Sequence, residues 1–263
     1  MPRMDPHRIA TAGLLFCFGP ALNAQDTLDP VKDVCSLSGG VMPYAALREA
    51  DVAWERRVWR VLDLNEPLNR TFRSPTGDLY KCYGLFDVIR HGLLDEGAIT
   101  AYDAGALGTD DAFQKPLSRE QSTALLIAMD VISEDRTSRF MIKEDWIFDK
   151  QRSVMEVRMI GIAPMIDLLG EDGELRGHRT LFWLYYPECR MLFSRWAAHR
   201  DAEDQRISYE ALFAQRRFSS TIAKVSNVFD RAINEHNATL DALMESEAIR
   251  EQVFRSGFDL WNY

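Results

Sequence analysis

The chain has 263 residues, of which 46% are hydrophobic, 27% charged and 11% aromatic, and its formal net charge is −9. Those fractions belong to a folded globular protein and exclude a collagen-like, low-complexity or wholly disordered chain. The acidic balance argues against non-specific nucleic-acid binding, and beyond the N-terminus no run of 18 apolar residues exists to form a membrane span.

In chain order, residues 1–24 read as a secretory leader. Arg3 and Arg8 form a basic head, residues 9–22 are apolar or small, and Asn23 and Ala24 precede a polar run from Gln25. Cleavage is expected after Ala24. Gly19 and Pro20 argue against a buried helix here. Phe16 stands before Cys17 where a lipoprotein signal needs a small residue, so the mature chain is expected to be exported and not acylated. Residues 25–44, with Pro30, Gly39, Gly40 and Pro43, read as an extended lead. Leu47, Asp51, Trp54, Val58 and Leu62 recur at spacings of 3 or 4 and predict an amphipathic helix. A second helix is expected over about 78–94, with Leu79, Cys82, Phe86, Ile89 and Leu93 as its stripe, Thr76 as N-cap and Gly97 as its stop. A third begins at Ser118, whose spacing to Gln121 is that of a capping box.

From Arg139 the period changes to 2. Phe140, Ile142, Trp146 and Phe148 share one strand face, with Glu144 as the exception. Residues 150–152 turn the chain, a second strand follows to about 162, and Asp172-Gly173 marks another reversal. Residues 181–186 are continuously apolar, as in a strand covered on both faces. Pro187-Glu188 reads as a turn and residues 189–196 as a returning strand, giving an antiparallel meander over about 139–196. Helical texture resumes after Ser208, and a last helix is expected from near Thr239, anchored by Leu243, Ile249, Val253 and Phe254. The fold class is α+β: N-terminal helices, a central antiparallel meander, then C-terminal helices. The expected division is leader 1–24, extended segment 25–44 and one domain over 45–263.

The chemistry-bearing residues are sparse. No G-x-S-x-G, H-E-x-x-H, phosphate-binding loop or dinucleotide fingerprint occurs. His91, His178, His199 and His236 lie far apart and none has metal-ligand spacing. No catalytic residue, cofactor or metal is assigned. Glu144 and Asp145 are adjacent on a strand and point to opposite faces, so they cannot share a proton; Arg158 is the expected cross-strand partner of Glu144. Arg216-Arg217 reads as a solvated helix end, and Asn237-Ala238-Thr239 as a glycosylation sequon of a kind common by chance. Cys35, Cys82 and Cys189 allow one disulfide with one thiol left over; Cys82 is expected to be a small buried hydrophobe. The surplus is in aromatics, eight of them between 146 and 196, and one sheet face is expected to need a second layer or a partner.

The run I-K-E-D-W-I-F-D-K-Q-R-S-V-M-E-V-R-M-I-G-I-A-P over 142–164 resembles the GldN/PorN family of the type IX secretion and gliding machinery of Bacteroidota. Further matching segments are L-R-E-A-D-V-A-W-E-R-R-V-W-R-V-L-D-L (47–64), L-F-W-L-Y-Y-P-E-C-R (181–190), F-S-S (218–220), S-N-V-F-D-R (226–231) and D-L-W-N-Y (259–263). Cys189 departs from the family pattern, and the loop 97–116 has no clear counterpart.

The resemblance implies a non-catalytic periplasmic subunit, held at the outer membrane by a GldK/PorK-like lipoprotein. That subunit joins copies of itself in a ring, contacts a GldM/PorM-like motor shaft, and has no nucleic-acid partner and no membrane span of its own. Trp183, Tyr185, Arg190, Trp261 and Tyr263 are the candidate interface residues. Two other readings compete. One is a stand-alone periplasmic module binding a peptide or glycan through a sheet edge or aromatic groove. The other is a hydrolase in which Asp145 or Glu188 converges with His178.

Overall fold

The computed structural model describes residues 37, 39–73, 83–129, 137–170, 172–198 and 207–226, together with 244, 247, 248 and 251. The leader, Thr76, Cys35, Cys82, His199, His236, the sequon at Asn237 and the tail residues Trp261 and Tyr263 lie outside them.

A seven-stranded antiparallel sheet organises the chain. Its strands are β1 (Val52–Asp63), β2 (Ala101–Asp103), β3 (Thr137–Asp149), β4 (Val154–Leu169), β5 (Leu175–Thr180), β6 (Phe182–Tyr185) and β7 (Thr221–Val225). The order is β2-β6-β4-β3-β1-β7, with β5 also paired to β4. The helices are α1 (Leu85–Arg90), continued by a π-helical turn over His91–Glu96, α2 (Arg119–Ala128), α3 (Tyr186–Arg195) and α4 (Tyr209–Ala214). Sheet plus helices is the α+β class that the sequence implies.

Two predicted elements change type. The helix predicted over 47–62 is strand β1, paired to β3 from Val52↔Asp149 to Asp63↔Arg139. The stripe Trp54, Val58, Leu62 has a spacing of 4, which returns to one face of a helix and also to one face of a strand. Trp59 and Val61 between them fill the other face, and the β-branched and aromatic run V-W-R-V suits a sheet. The returning strand predicted over 189–196 is helix α3. Pro187 starts that helix within its first turn, where a missing N–H costs nothing, and does not turn the chain.

Several local expectations hold in the structure. Ser118 and Gln121 form a capping box on α2, and the Ser208 side chain accepts from the Ala211 N–H to cap α4. Gly97 ends the π-turn at a φ of 64°, in the left-handed region. Gly173, at φ 79°, makes the β4–β5 reversal. Met244, Glu247, Ala248 and Glu251 are helical; the anchors predicted for that last helix lie outside the described residues.

The helices cover one face of the sheet. Leu62, Phe140, Ile142, Ile162, Phe182 and Leu184 from the strands pack against Phe86 and Ile89 of α1, Tyr186, Leu192 and Phe193 of α3, and Tyr209 and Phe213 of α4. Phe213 is the hub, with ring centroids 5.2 to 6.0 Å from those of Phe72, Tyr186, Phe193 and Phe218. At Gly92 a Cβ would stand 2.3 Å from Leu192 Cδ2, so only glycine lets the π-turn lie this close to α3.

Candidate interaction surface

The opposite face of the sheet carries a row of residues across five strands. Lys224 on β7 pairs with Trp59 on β1, Trp59 with Lys143 on β3, Lys143 with Gly161 on β4, and Gly161 with Tyr185 on β6. Residues directly opposite one another across antiparallel strands share a face, so this is one alternating line of cations and rings. Lys224 Nζ stands 4.6 Å and Lys143 Nζ 5.7 Å from the Trp59 ring centroid. Burial pulls the Lys143 ammonium below its ordinary value, while Asp111 pulls the other way.

The loop 104–116 lies over this row. Asp111 accepts from Trp59 Nε1 at 2.6 Å and stands 3.3 Å from Lys143 Nζ, which also donates to the Asp111 carbonyl. Phe113 sits edge-on to Tyr102, Trp183 and Tyr185, with centroids 5.6, 6.1 and 5.6 Å away. Its backbone adopts a φ of 56°, a left-handed conformation that strains a bulky residue by roughly 1 kcal/mol or more. Part of the second layer that the aromatic surplus calls for is therefore supplied by this loop.

Of the predicted interface residues, Tyr185 is 36% exposed, whereas Trp183 is buried at 3% between Phe113 and the sheet. Arg190 on α3 turns inward at 8% exposure. Its Nε donates to Glu210 at 2.7 Å, and Tyr186 Oη donates to the other oxygen of the same carboxylate. Burial, reinforced by Glu210, pushes the Tyr186 phenol well above its usual range. Arg190 Nη2 donates to the Met42 carbonyl at 2.7 Å, and its guanidinium lies 4.4 Å from the Tyr44 ring. Arg158 stacks on the same ring from 5.4 Å and donates to the Ala45 carbonyl. The extended lead is thus a strap gripped by two arginines, and Met42 on it is 84% exposed. Tyr44, Trp59, Asp111, Phe113 and Lys143 were not singled out by the sequence. Gly161 was the available signal: an isolated glycine amid bulky strand residues marks a close approach.

The remaining candidates have local partners. Glu144 is fully buried and pairs with Arg216 at 2.8 Å and with Trp146 Nε1 at 3.0 Å. Arg158, its predicted partner, stands opposite Asp145 and donates to Glu156. The Arg216 end of α4 is therefore a buried-charge clamp, not a solvated helix end. Asp145 is held in a two-bond fork by Arg57. His178 takes Asp167 on Nδ1 and contacts Arg139 through Nε2. Ser138 donates to Asp167 at 2.6 Å and not to the imidazole, so this chain of bonds does not activate the hydroxyl. Among the described residues, no group of three or more His, Cys, Asp or Glu side chains is placed to hold a metal. Cys189 is free and buried; burial, with Glu188 adding, pushes its thiol far above the ordinary range. No helix of the described residues is long and apolar enough to cross a membrane.

Comparison with curated proteins gives no match. Comparison with family descriptions does: the family described as "Gliding motility associated protein GldN" matches residues 47–262, from the base of the strap through the sheet and helices to the tail. That span takes in β1, the row, the loop over it and the Arg216 clamp, and on it the chain belongs to the GldN family, a component of gliding motility and type IX secretion.

Proposed function

We propose that this chain is a non-catalytic assembly subunit of the type IX secretion and gliding apparatus. It works in the periplasm, builds a ring with copies of itself and a GldK/PorK-like outer-membrane lipoprotein, and couples that ring to a GldM/PorM-like motor shaft. The family match over residues 47–262 carries the reading. Supporting it is the distribution of aromatic and basic side chains: the Lys224–Trp59–Lys143–Tyr185 row with its half-exposed end, and a strap that offers Met42 to a neighbour. Aromatic and arginine anchors are the residues that dominate stable protein contacts. Trp183 and Arg190 contribute from behind, by fixing Tyr185 and the strap; Trp261 and Tyr263 contribute from the tail.

Co-expression with the lipoprotein, followed by affinity purification and electron microscopy, tests the reading. Rings containing both chains are expected. A chain that purifies alone as a monomer would contradict it. Replacing Trp261 and Tyr263 by alanine is expected to lower recovery of the complex; unchanged recovery would remove the tail from the interface.

A further inference from the structure

The row on the second face of the sheet holds a place for an aromatic ring that the chain's own loop fills. At Gly161 a Cβ would stand 2.6 Å from Phe113 Cζ and 3.1 Å from Trp183 Cε3, so the missing side chain is the hole into which the ring drops. Tyr102, Trp183 and Tyr185 wall it, and Lys143 Nζ stands 5.1 Å from the Phe113 centroid. Two positions earlier, Asp111 answers Trp59 Nε1 and Lys143. The face therefore reads an acidic residue followed, two positions on, by a ring.

Phe113 fits this place imperfectly. Its φ is left-handed, its side chain is only half-buried, and Trp183 Nε1, buried in the wall, has no hydrogen-bond partner. A buried donor without an acceptor is a standing cost that an incoming carbonyl would remove. The acid-any-aromatic spacing recurs in this chain at Asp259-Leu260-Trp261. It occurs also at Glu144-Asp145-Trp146, which lies inside β3 with Glu144 fully buried, and at Asp78-Leu79-Tyr80, which is followed three positions on by Tyr83, whose carbonyl accepts from Tyr209 Oη in the core. Asp259 lies eight residues beyond Glu251, the last of the described residues, a span of about 27 Å for extended chain.

We infer that Asp259-Leu260-Trp261 of a second copy docks on this row in place of Asp111-Ala112-Phe113. Asp259 takes the Trp59 N–H and the Lys143 ammonium, Trp261 enters the aromatic box, and the loop 104–116 swings out about Gly105 and Gly108, both at positive φ. Each copy then offers a tail and a row, two different patches, which is the heterologous contact from which rings are built. The inference rests on the assembly reading above.

The test uses the full chain with its own tail disabled by Trp261→Ala, titrated with a fluorescent peptide of residues 255–263 and read by anisotropy. Adding Phe113→Ala is expected to tighten binding by about tenfold, and adding Gly161→Leu to that variant to abolish it. Asp111→Asn, which loosens the loop without emptying the box, is expected to tighten binding as well, and takes the place of Phe113→Ala if that variant does not fold. A folded Phe113→Ala or Asp111→Asn chain that binds no more tightly than its parent would overturn the proposal. In sedimentation, Phe113→Ala with an intact tail is expected to self-associate. A strict monomer that binds the peptide would put the tail in its own box and overturn docking between copies. Rings that still form from Trp261→Ala chains would overturn this docking while leaving the assembly reading intact.

Discussion

A single buried carboxylate, Glu144, shows how much of this sheet depends on distant partners. It is wholly enclosed on the helix-covered face and is answered by Arg216, whose backbone adopts a φ of 52°. The sequence placed Glu144 on the correct strand face but pointed to the wrong partner. A register shift between Lys143 and Glu144 sets Met159 opposite Glu144 and moves Arg158 to Asp145. An ion pair 72 positions apart leaves no local periodicity to find. Removing one partner of a buried pair strands the other charge. Because Arg216 is about one-third exposed, Arg216→Ala is expected to cost roughly 2–3 kcal/mol in urea denaturation, the low side of the buried-pair range. Glu144→Gln in that background is expected to recover part of the loss, since it removes the stranded charge. Equal destabilisation by the single and double variants would contradict the clamp.

At the level of elements, caps and turns were legible and the pairing of distant segments was not. Ser118, Ser208, Gly97 and the Asp172-Gly173 reversal act through bonds within a few residues, so the sequence carries them openly. Strand β1 reads as a helix in the sequence because a spacing of 4 satisfies both periods, and what decides is β3 on one side and β7 on the other. Strands β2 and β7 are three and five residues long, too short to show a period of their own. The strap was expected to be extended, but nothing local foretold that Arg158 and Arg190 would close on Tyr44. Tyr44→Ala removes the ring between those guanidinium groups and is expected to cost about 1–2 kcal/mol. Limited proteolysis provides the check: cleavage within 39–47 is expected to become much faster while β3 stays intact. An unchanged cleavage rate would show that the bonds from Arg158 and Arg190 to the strap carbonyls suffice without the ring.

At the scale of the whole molecule, charge sets the conditions in which the fold survives. The Asp149 carboxyl is held below its ordinary range by the Arg152 guanidinium and by the N–H groups of Arg152 and Gln151. Burial raises Asp63 and Glu156, but Asn65 and Arg139 outweigh it at the first, and Arg158 and Arg152 at the second, so both also end lowered. Carboxylates depressed in the folded state contribute stability above their unfolded values, near pH 4, that is lost as pH falls through their folded values. Burial raises the phenols of Tyr44 and Tyr186, whose contribution is present below about pH 10 and is lost as pH rises beyond it. A thermal melt series is expected to show a plateau between those ranges with a fall on each side. A fall already complete near pH 6 would contradict this assignment of the acid limb.

Among the described residues, His91 and His178 pair with acids, and Glu144 and Asp145 with arginines, which fits the proposed role of an assembly subunit. The most direct measurement of that claim is export itself: delete the gene, and quantify type IX cargo in the medium with and without the wild-type chain restored. Cargo is expected to vanish from the medium and to return on restoration; export at the parental level in the deletion strain would contradict the account.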